Sequence, residues 1–258
     1  MPDELREQRA FAAEIKFLVK PEQGEAIRAW ARTRLAPDPH GSGEGGDRYS
    51  TSTLYCETAA KDVFHRRGSF GRSKYRIRRY ATSDMVFLER KLRTKDMLSK
   101  RRSLLPIDDL SLLGSGLRAG LGSGLRAGLG SVTPSWSRRW QGAWFGDRIA
   151  TRRLGPVCQV TYDRVARLTA TPYGIARLTL DANLRAWPAE VFEFQTGEPE
   201  PVLPGRMILE MKFRVDMPAV FKALVEEFCL NPAPVSKYRS SILALGLATE
   251  KAPTCPAS

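Results

Sequence analysis

MILEMKFRV, residues 207–215, is the stretch on which the fold turns. Read as a strand, it places Met207, Leu209, Met211, Phe213 and Val215 on one face and Ile208, Glu210, Lys212 and Arg214 on the other, because successive strand side chains point to opposite sides. One face is apolar and the other is ionic. The same Glu-x-Lys unit recurs twice. FAAEIKFLV (11–19) aligns Glu14 and Lys16 against Ile15, Phe17 and Val19, and VFLERKLR (86–93) aligns Glu89, Lys91 and Arg93 against Leu88 and Leu92. Arg90 breaks the second alternation and is expected at an exposed spot.

Other segments follow the scheme with arginine: KYRIRRY aligns Arg76 with Arg78, VTYDRVARL aligns Tyr162 with Arg164, and IARLTLDANL aligns Arg177, Thr179 and Asp181. A sheet with one solvated face would account for any one of these segments. It accounts poorly for the set. Solvated faces mix Thr, Ser, Gln and Lys, whereas these positions are almost all Arg, Lys or carboxylate, and like charges on neighbouring strands repel unless an anion sits between them. Turned inward in a closed barrel of about eight strands, such faces would line a lumen wide enough for a slender ligand. The expected fold is therefore α+β, a closed antiparallel β-barrel with helices packed outside, and its basic lumen would concentrate the field on a linear polyanion.

Few helices are expected. Residues 21–35 open with Pro21 at a first helical position and carry Ile27, Trp30, Ala31 and Leu35 at helical spacing. Residues 217–229, with Asp216 as cap and Pro218 near the start, repeat the plan with Phe221, Leu224, Val225 and Phe228. A last helix is expected from about Ser236 to Leu247. The Gly- and Pro-rich stretch PDPHGSGEGGD (37–47) reads as a flexible loop that bears no core. GSGLRAGL occurs twice in tandem within 114–129 and reads as a surface loop insert, 114–130, in a single domain spanning 1–250; the tail 251–258 is expected to be disordered.

Composition narrows the function. Of 258 residues, 42% are hydrophobic, enough for a substantial core. Lys plus Arg exceed Asp plus Glu by 41 to 28, which favours polyanionic partners without choosing among nucleic acid, anionic membrane and phosphate chains. Cys56, Cys158, Cys229 and Cys255 form no C-x-x-C pair, and His40 and His65 stand alone, a pattern that speaks against a zinc site. There is no secretory signal and no apolar run near the roughly 18 residues a membrane span needs, so a cytoplasmic protein is expected. Nucleic acid is not the expected partner, since stacking aromatics among the basic strand positions are sparse.

In order along the chain, EIK (14–16), STLYCET (52–58), YRIRRY (75–80), FLERKLR (87–93), SKRR (99–102), TYDR (161–164), RLTLD (177–181), LEMKF (209–213) and SKYRSS (236–241) resemble the triphosphate tunnel metalloenzymes. Within that superfamily they resemble the VTC polyphosphate polymerase domain. CYTH proteins open with Glu-x-Glu-x-Lys, whereas Ala12 stands at the first of those positions here. The resemblance implies transfer of the terminal phosphoryl group of ATP to a growing inorganic polyphosphate chain, assisted by Mn²⁺ or Mg²⁺. It implies that Arg76, Arg78, Lys91, Arg164 and Arg177 clamp triphosphate oxygens. Lys16 and Lys212 would line the tunnel, Lys100 and Lys237 would close on phosphate at the mouth, and Glu210 would hold the metal. Ser99 and Ser236 stand either beside phosphate or as ordinary N-caps. Two alternatives share these residues, a CYTH-type metal-dependent triphosphatase and a non-catalytic polyphosphate or nucleotide binder. A membrane protein is a possible partner, and the oligomeric state is left open.

Overall fold

The computed structural model describes residues 5–10, 12–43, 45–93, 97–114 and 140–249. Its strands are β1 (Leu5–Ala10), β2 (Ala12–Val19), β3 (Ala36–Pro37), β4 (Arg48–Glu57), β5 (Ser73–Tyr80), β6 (Met85–Arg93), β7 (Met97–Pro106), β8 (Gly155–Thr171), β9 (Gly174–Pro188), β10 (Glu200–Pro201) and β11 (Met207–Arg214). Among the described residues the helices are α1 (Pro21–Arg34), α2 (Ala143–Thr151), α3 (Ala219–Glu227) and α4 (Lys237–Ala244), and residues 110–114 are helical as well. All strands join one 11-stranded antiparallel sheet in the order β1-β7-β6-β5-β4-β8-β9-β11-β2, with β10 on β9 and β3 on β8.

The expected closed barrel is not what forms. Among the described residues no ladder joins β1 to β2, so the sheet is open. The chain itself supplies the reason: the two end strands are one residue apart in sequence, and even the tightest hairpin needs a two-residue turn, so they cannot pair with each other. Each adds instead to a different edge, β1 to β7 and β2 to β11. The sheet still curls far enough for side chains to meet across it. Lys91 of β6 lies 3.2 Å from Glu14 of β2, though five strands separate their strands along the sheet path through β11. The result is an open cleft with an ionic concave face.

The convex face is apolar and helices cover it. Under α1 and α3 lie Phe17, Val19, Leu178, Leu180, Met207, Leu209, Met211 and Phe213, packed on Ile27, Trp30, Phe221 and Leu224. Gly24 permits this approach, since a Cβ there would stand 2.4 Å from the Met207 sulfur. Trp30 Nε1 donates to Glu227 over 2.6 Å and ties the two helices together. A second cluster sets Leu54, Ile77, Val86, Leu88 and Leu105 against Leu110, Leu113 and, from α2, Phe145 and Ile149. Burial of this many aliphatic and aromatic side chains, at about 1.5–3 kcal/mol each, holds the curl against the charges on the other side.

Several local expectations are corrected. Val215 leaves the apolar face, because the strand ends at Arg214 and Val215 turns outward with φ 59°. Arg90 is half-buried rather than exposed. The helix expected over 217–229 is α3, which starts at Ala219 with Pro218 at its N-cap and no side-chain capping bond, so Asp216 does not cap it. The last helix ends at Ala244. The stretch 37–47 is no loose loop: Asp38 and Asp47 are buried, and Asp47 accepts from Arg32 Nε and Nη2 at 3.1 Å and from Arg167 Nε at 3.0 Å. From the insert 114–130 only Gly114 lies within the described residues, and the tail 251–258 lies outside them.

Replacing Asp47 leaves Arg167 buried without a counter-charge, so Asp47→Ala should lower unfolding free energy by about 3–5 kcal/mol in urea denaturation. A loss under about 1 kcal/mol would mean that this clamp does not fasten the stretch.

Candidate functional site

Register sets the concave face. Across β5, β6 and β7, Arg76 stands opposite Glu89 and Glu89 opposite Arg102, while Lys74 stands opposite Lys91 and Lys91 opposite Lys100. Across β9, β11 and β2, Arg177 pairs with Lys212 and Lys212 with Glu14, and Thr179 pairs with Glu210 and Glu210 with Lys16. Period-2 alternation then aims every one of these side chains into the cleft.

Four carboxylates on these strands hold the cations in place. Glu89, 1% exposed, accepts from Arg76 Nε at 2.7 Å and from Arg102 Nε and Nη2 at 2.9 and 2.6 Å, with Lys100 Nζ at 3.1 Å. Burial works to raise its pKa, but Arg76, Arg78, Lys100 and Arg102 hold it well below the usual carboxylate range. Asp181, fully buried, accepts from Arg164 Nε and Nη2 at 2.6 and 2.8 Å and meets Lys237 Nζ at 2.5 Å. Glu210 lies against Lys212 and 3.7 Å from Lys16; burial opposes its charge, and Lys212, Lys237 and Lys16 overcome that. Glu14, less deeply set, reaches Lys16 at 2.9 Å, Lys91 at 3.2 Å and Lys212 at 3.9 Å. The buried cluster is thus short of negative charge.

A cavity of about 380 Å³ opens in this face, lined among others by Glu14, Arg76, Lys91, Lys100, Arg177 and Lys212. The 37–47 stretch forms part of its rim through Asp38 and His40, and Asp38 meets Arg177 Nη2 at 2.5 Å. Arg177 Nη2 also donates to the Tyr49 hydroxyl at 2.6 Å. Tyr80 packs edge-on against Tyr49 and Phe87 and accepts from Arg102 Nη2 at 3.2 Å. Burial would raise its pKa, yet Arg78 and Arg102 bring it down to about 7.

Of the residues singled out from sequence, Arg76, Lys91, Lys100, Arg177 and Lys212 line the cavity. Arg78, Arg164, Lys16, Lys237 and Glu210 surround it through the carboxylate nodes. Ser236 stands apart, its hydroxyl accepting from Arg239 N at 3.5 Å as the N-cap of α4. The residues singled out from sequence leave out Lys74 and Asp38, and they include Arg102 and Tyr80 only within SKRR and YRIRRY, with no role at the site. Lys74 and Arg102 were within reach, since they continue the alternation of Arg76 and Arg78 and of Lys100. Asp38 gave no signal, because nothing in a Gly- and Pro-rich stretch predicts a buried carboxylate.

Among the described residues no group of three or more His, Cys, Asp or Glu side chains is placed to hold a metal ion. The donor set fits a hard divalent cation only as Mg²⁺-like ions are commonly held, by one or two carboxylates with phosphate oxygens and water completing the shell.

The VTC domain family model matches residues 11–246. The chain belongs to the VTC domain family. The match takes in every strand from β2 to β11. Among solved structures, a candidate adenylate cyclase from Bacillus halodurans has a similar fold, at 15% identity and TM-score 0.50, covering 89% of this chain and 95% of that one. HpAC1 from Hippeastrum, a candidate adenylyl cyclase with a dominant triphosphatase activity, matches at 16% identity and TM-score 0.43 over 92% and 96%. PH1819 from Pyrococcus horikoshii matches at 15% identity and TM-score 0.43 over 92% and 98%. No curated protein matches.

Neutralising Glu89 would leave Arg76, Arg78, Lys100 and Arg102 facing one another, so Glu89→Gln should lower stability by roughly 3 kcal/mol at pH 7. Because the folded pKa lies below the ordinary 4.5, wild type has this advantage in full above 4.5 and loses it as pH falls through the folded value. Denaturation of both proteins between pH 7 and pH 3 measures the gap; a gap that widened on acidification would contradict the assignment.

Proposed function

We propose that this chain is a polyphosphate polymerase, transferring the terminal phosphoryl group of ATP to the end of an inorganic polyphosphate chain. The observation that carries the reading is the ionic face of this VTC-family chain: buried cations in excess of the carboxylates that hold them, around a cavity of about 380 Å³. A linear phosphate chain supplies the missing negative charge along such a cleft, and arginine matches its oxygens in bidentate fashion.

The chemistry asks little of the protein beyond alignment and charge stabilisation. A terminal oxygen of the acceptor chain attacks the γ-phosphorus, the bond from γ-phosphorus to the β–γ bridging oxygen breaks, and ADP leaves with that electron pair. Arg76, Arg78, Lys91, Arg164 and Arg177 bind and orient the reacting phosphates, and Lys16, Lys100, Lys212 and Lys237 complete the cationic wall. Ser236 contributes through the start of α4, by fixing the turn that carries Lys237. Glu210 is the residue to hold Mn²⁺ or Mg²⁺, which when bound would neutralise charge on the β- and γ-oxygens. Its two lysine partners would then be freed to face phosphate. No helix among the described residues is long and apolar enough to cross a membrane.

Purified protein incubated with ATP and Mn²⁺ should give a ladder of phosphate chains on a gel. Release of inorganic phosphate without chain growth would make it a triphosphatase, and binding without turnover would make it a sensor. Glu210→Gln should cut turnover by at least about a hundredfold while nucleotide still binds, since the cationic clamp remains. Full activity in that variant would remove Glu210 from the site.

A further inference from the structure

Lys74, Lys91 and Lys100 occupy directly opposed positions on three adjacent strands. Like charges so placed repel, and the usual remedy is a carboxylate for each. Lys91 has Glu14 at 3.2 Å and Lys100 has Glu89 at 3.1 Å. Lys74 has none: among the described residues no carboxylate lies within ion-pair distance of it. Its ammonium stands 5.8 Å from the centre of the Tyr238 ring of α4, which packs on Tyr55 of β4. The charged groups that bear on it most strongly are all cations: Lys16 from β2, Lys91 from β6, Arg76 from its own strand and Arg66 from the segment before it.

We propose that Lys74 anchors a phosphate group beside Lys91, next to the cavity that Lys91 and Lys100 line, the anion that this lysine row lacks. The ligand class is a phosphoanhydride chain, whose evenly spaced charges let one phosphate sit at Lys74 while its neighbours meet Lys91, Arg76 and Lys16. This inference rests on the reading of the cleft as a phosphate-chain site and adds to it a residue that holds one end of the chain.

A consequence separates this role from mere packing. Burial, then Lys16, Lys91 and Arg76, hold the empty-state pKa of Lys74 down to about 8. Phosphate beside the ammonium raises it, so binding takes up a proton at pH 8.5, where the empty group is mostly neutral, and little at pH 6.5. Lys100 is also held to about 8, chiefly by burial, so the informative quantity is the part of the uptake that disappears with Lys74.

Isothermal titration calorimetry of the full chain with tripolyphosphate, at pH 8.5 in buffers of different ionisation enthalpy, reads affinity and proton uptake together. Lys74→Met should bind at least about tenfold more weakly, with uptake reduced by more than half a proton, while its melting temperature without ligand stays equal or rises because a repulsion is gone. Lys74→Arg, charged at every accessible pH, should bind within about threefold of wild type and still lose that uptake. A parallel titration with ATP assigns the chain end: a larger loss for tripolyphosphate puts the acceptor at Lys74, and equal losses put the donor there. If wild type binds tripolyphosphate and Lys74→Met matches it in affinity and uptake, the inference is overturned while the phosphate cleft stands. If wild type itself does not bind, both fall.

Discussion

The constraint from which the rest follows is the enforced closeness of cations on the concave face. Strand spacing of about 4.8 Å leaves no room for Arg76, Arg78, Lys91, Lys100 and Arg102 to avoid one another once they share a face. The protein answers with few, deeply buried carboxylates rather than one for each cation. Glu89 alone serves four basic side chains, Asp181 serves Arg164 and Lys237, and Glu210 serves Lys16 and Lys212. Such nodes fix side-chain geometry before any ligand arrives, which is how electrostatic stabilisation of a transferring phosphoryl group avoids reorganisation cost. They also leave the face short of negative charge, and that shortfall is the part with a functional meaning.

The open sheet makes the convex packing indispensable. With no ladder between β1 and β2, the curl depends on the helices, α1 and α3 over β2, β9 and β11, and α2 over β4 to β7. Glu14 then gathers Lys91 from one part of the sheet and Lys16 and Lys212 from the edge. Ionic contacts across the cleft thus join strands that no ladder joins directly among the described residues.

Most of the site was legible because a strand's period is 2 and charged residues reveal the face that they occupy. Glu210, Lys212, Arg76 and Arg78 could be placed by counting alone. Closure could not, because nothing in Leu5–Ala10 or Ala12–Val19 marks which strand each will pair with, β7 for the first and β11 for the second. Lys74 and Arg102 fall within the same count, Lys74 two residues before Arg76 and Arg102 two after Lys100. Asp38 and Asp47 were illegible for a different reason: Gly and Pro advertise turns, and the burial of a carboxylate among them depends on Arg32, Arg167 and Arg177, which lie elsewhere in the sequence.

The direct test of a cleft built short of negative charge is the melting temperature of the ligand-free chain, compared with that in millimolar tripolyphosphate and in sodium sulfate of equal ionic strength. A site matched to a phosphate chain gains stability by mass action, about 2.7 kcal/mol at a ligand concentration a hundred times Kd, so tripolyphosphate should raise the melting temperature by several degrees and sulfate by much less. Equal shifts in the two salts, or none in either, would mean that the cations are merely screened by ions in general, and would contradict a phosphate-binding cleft.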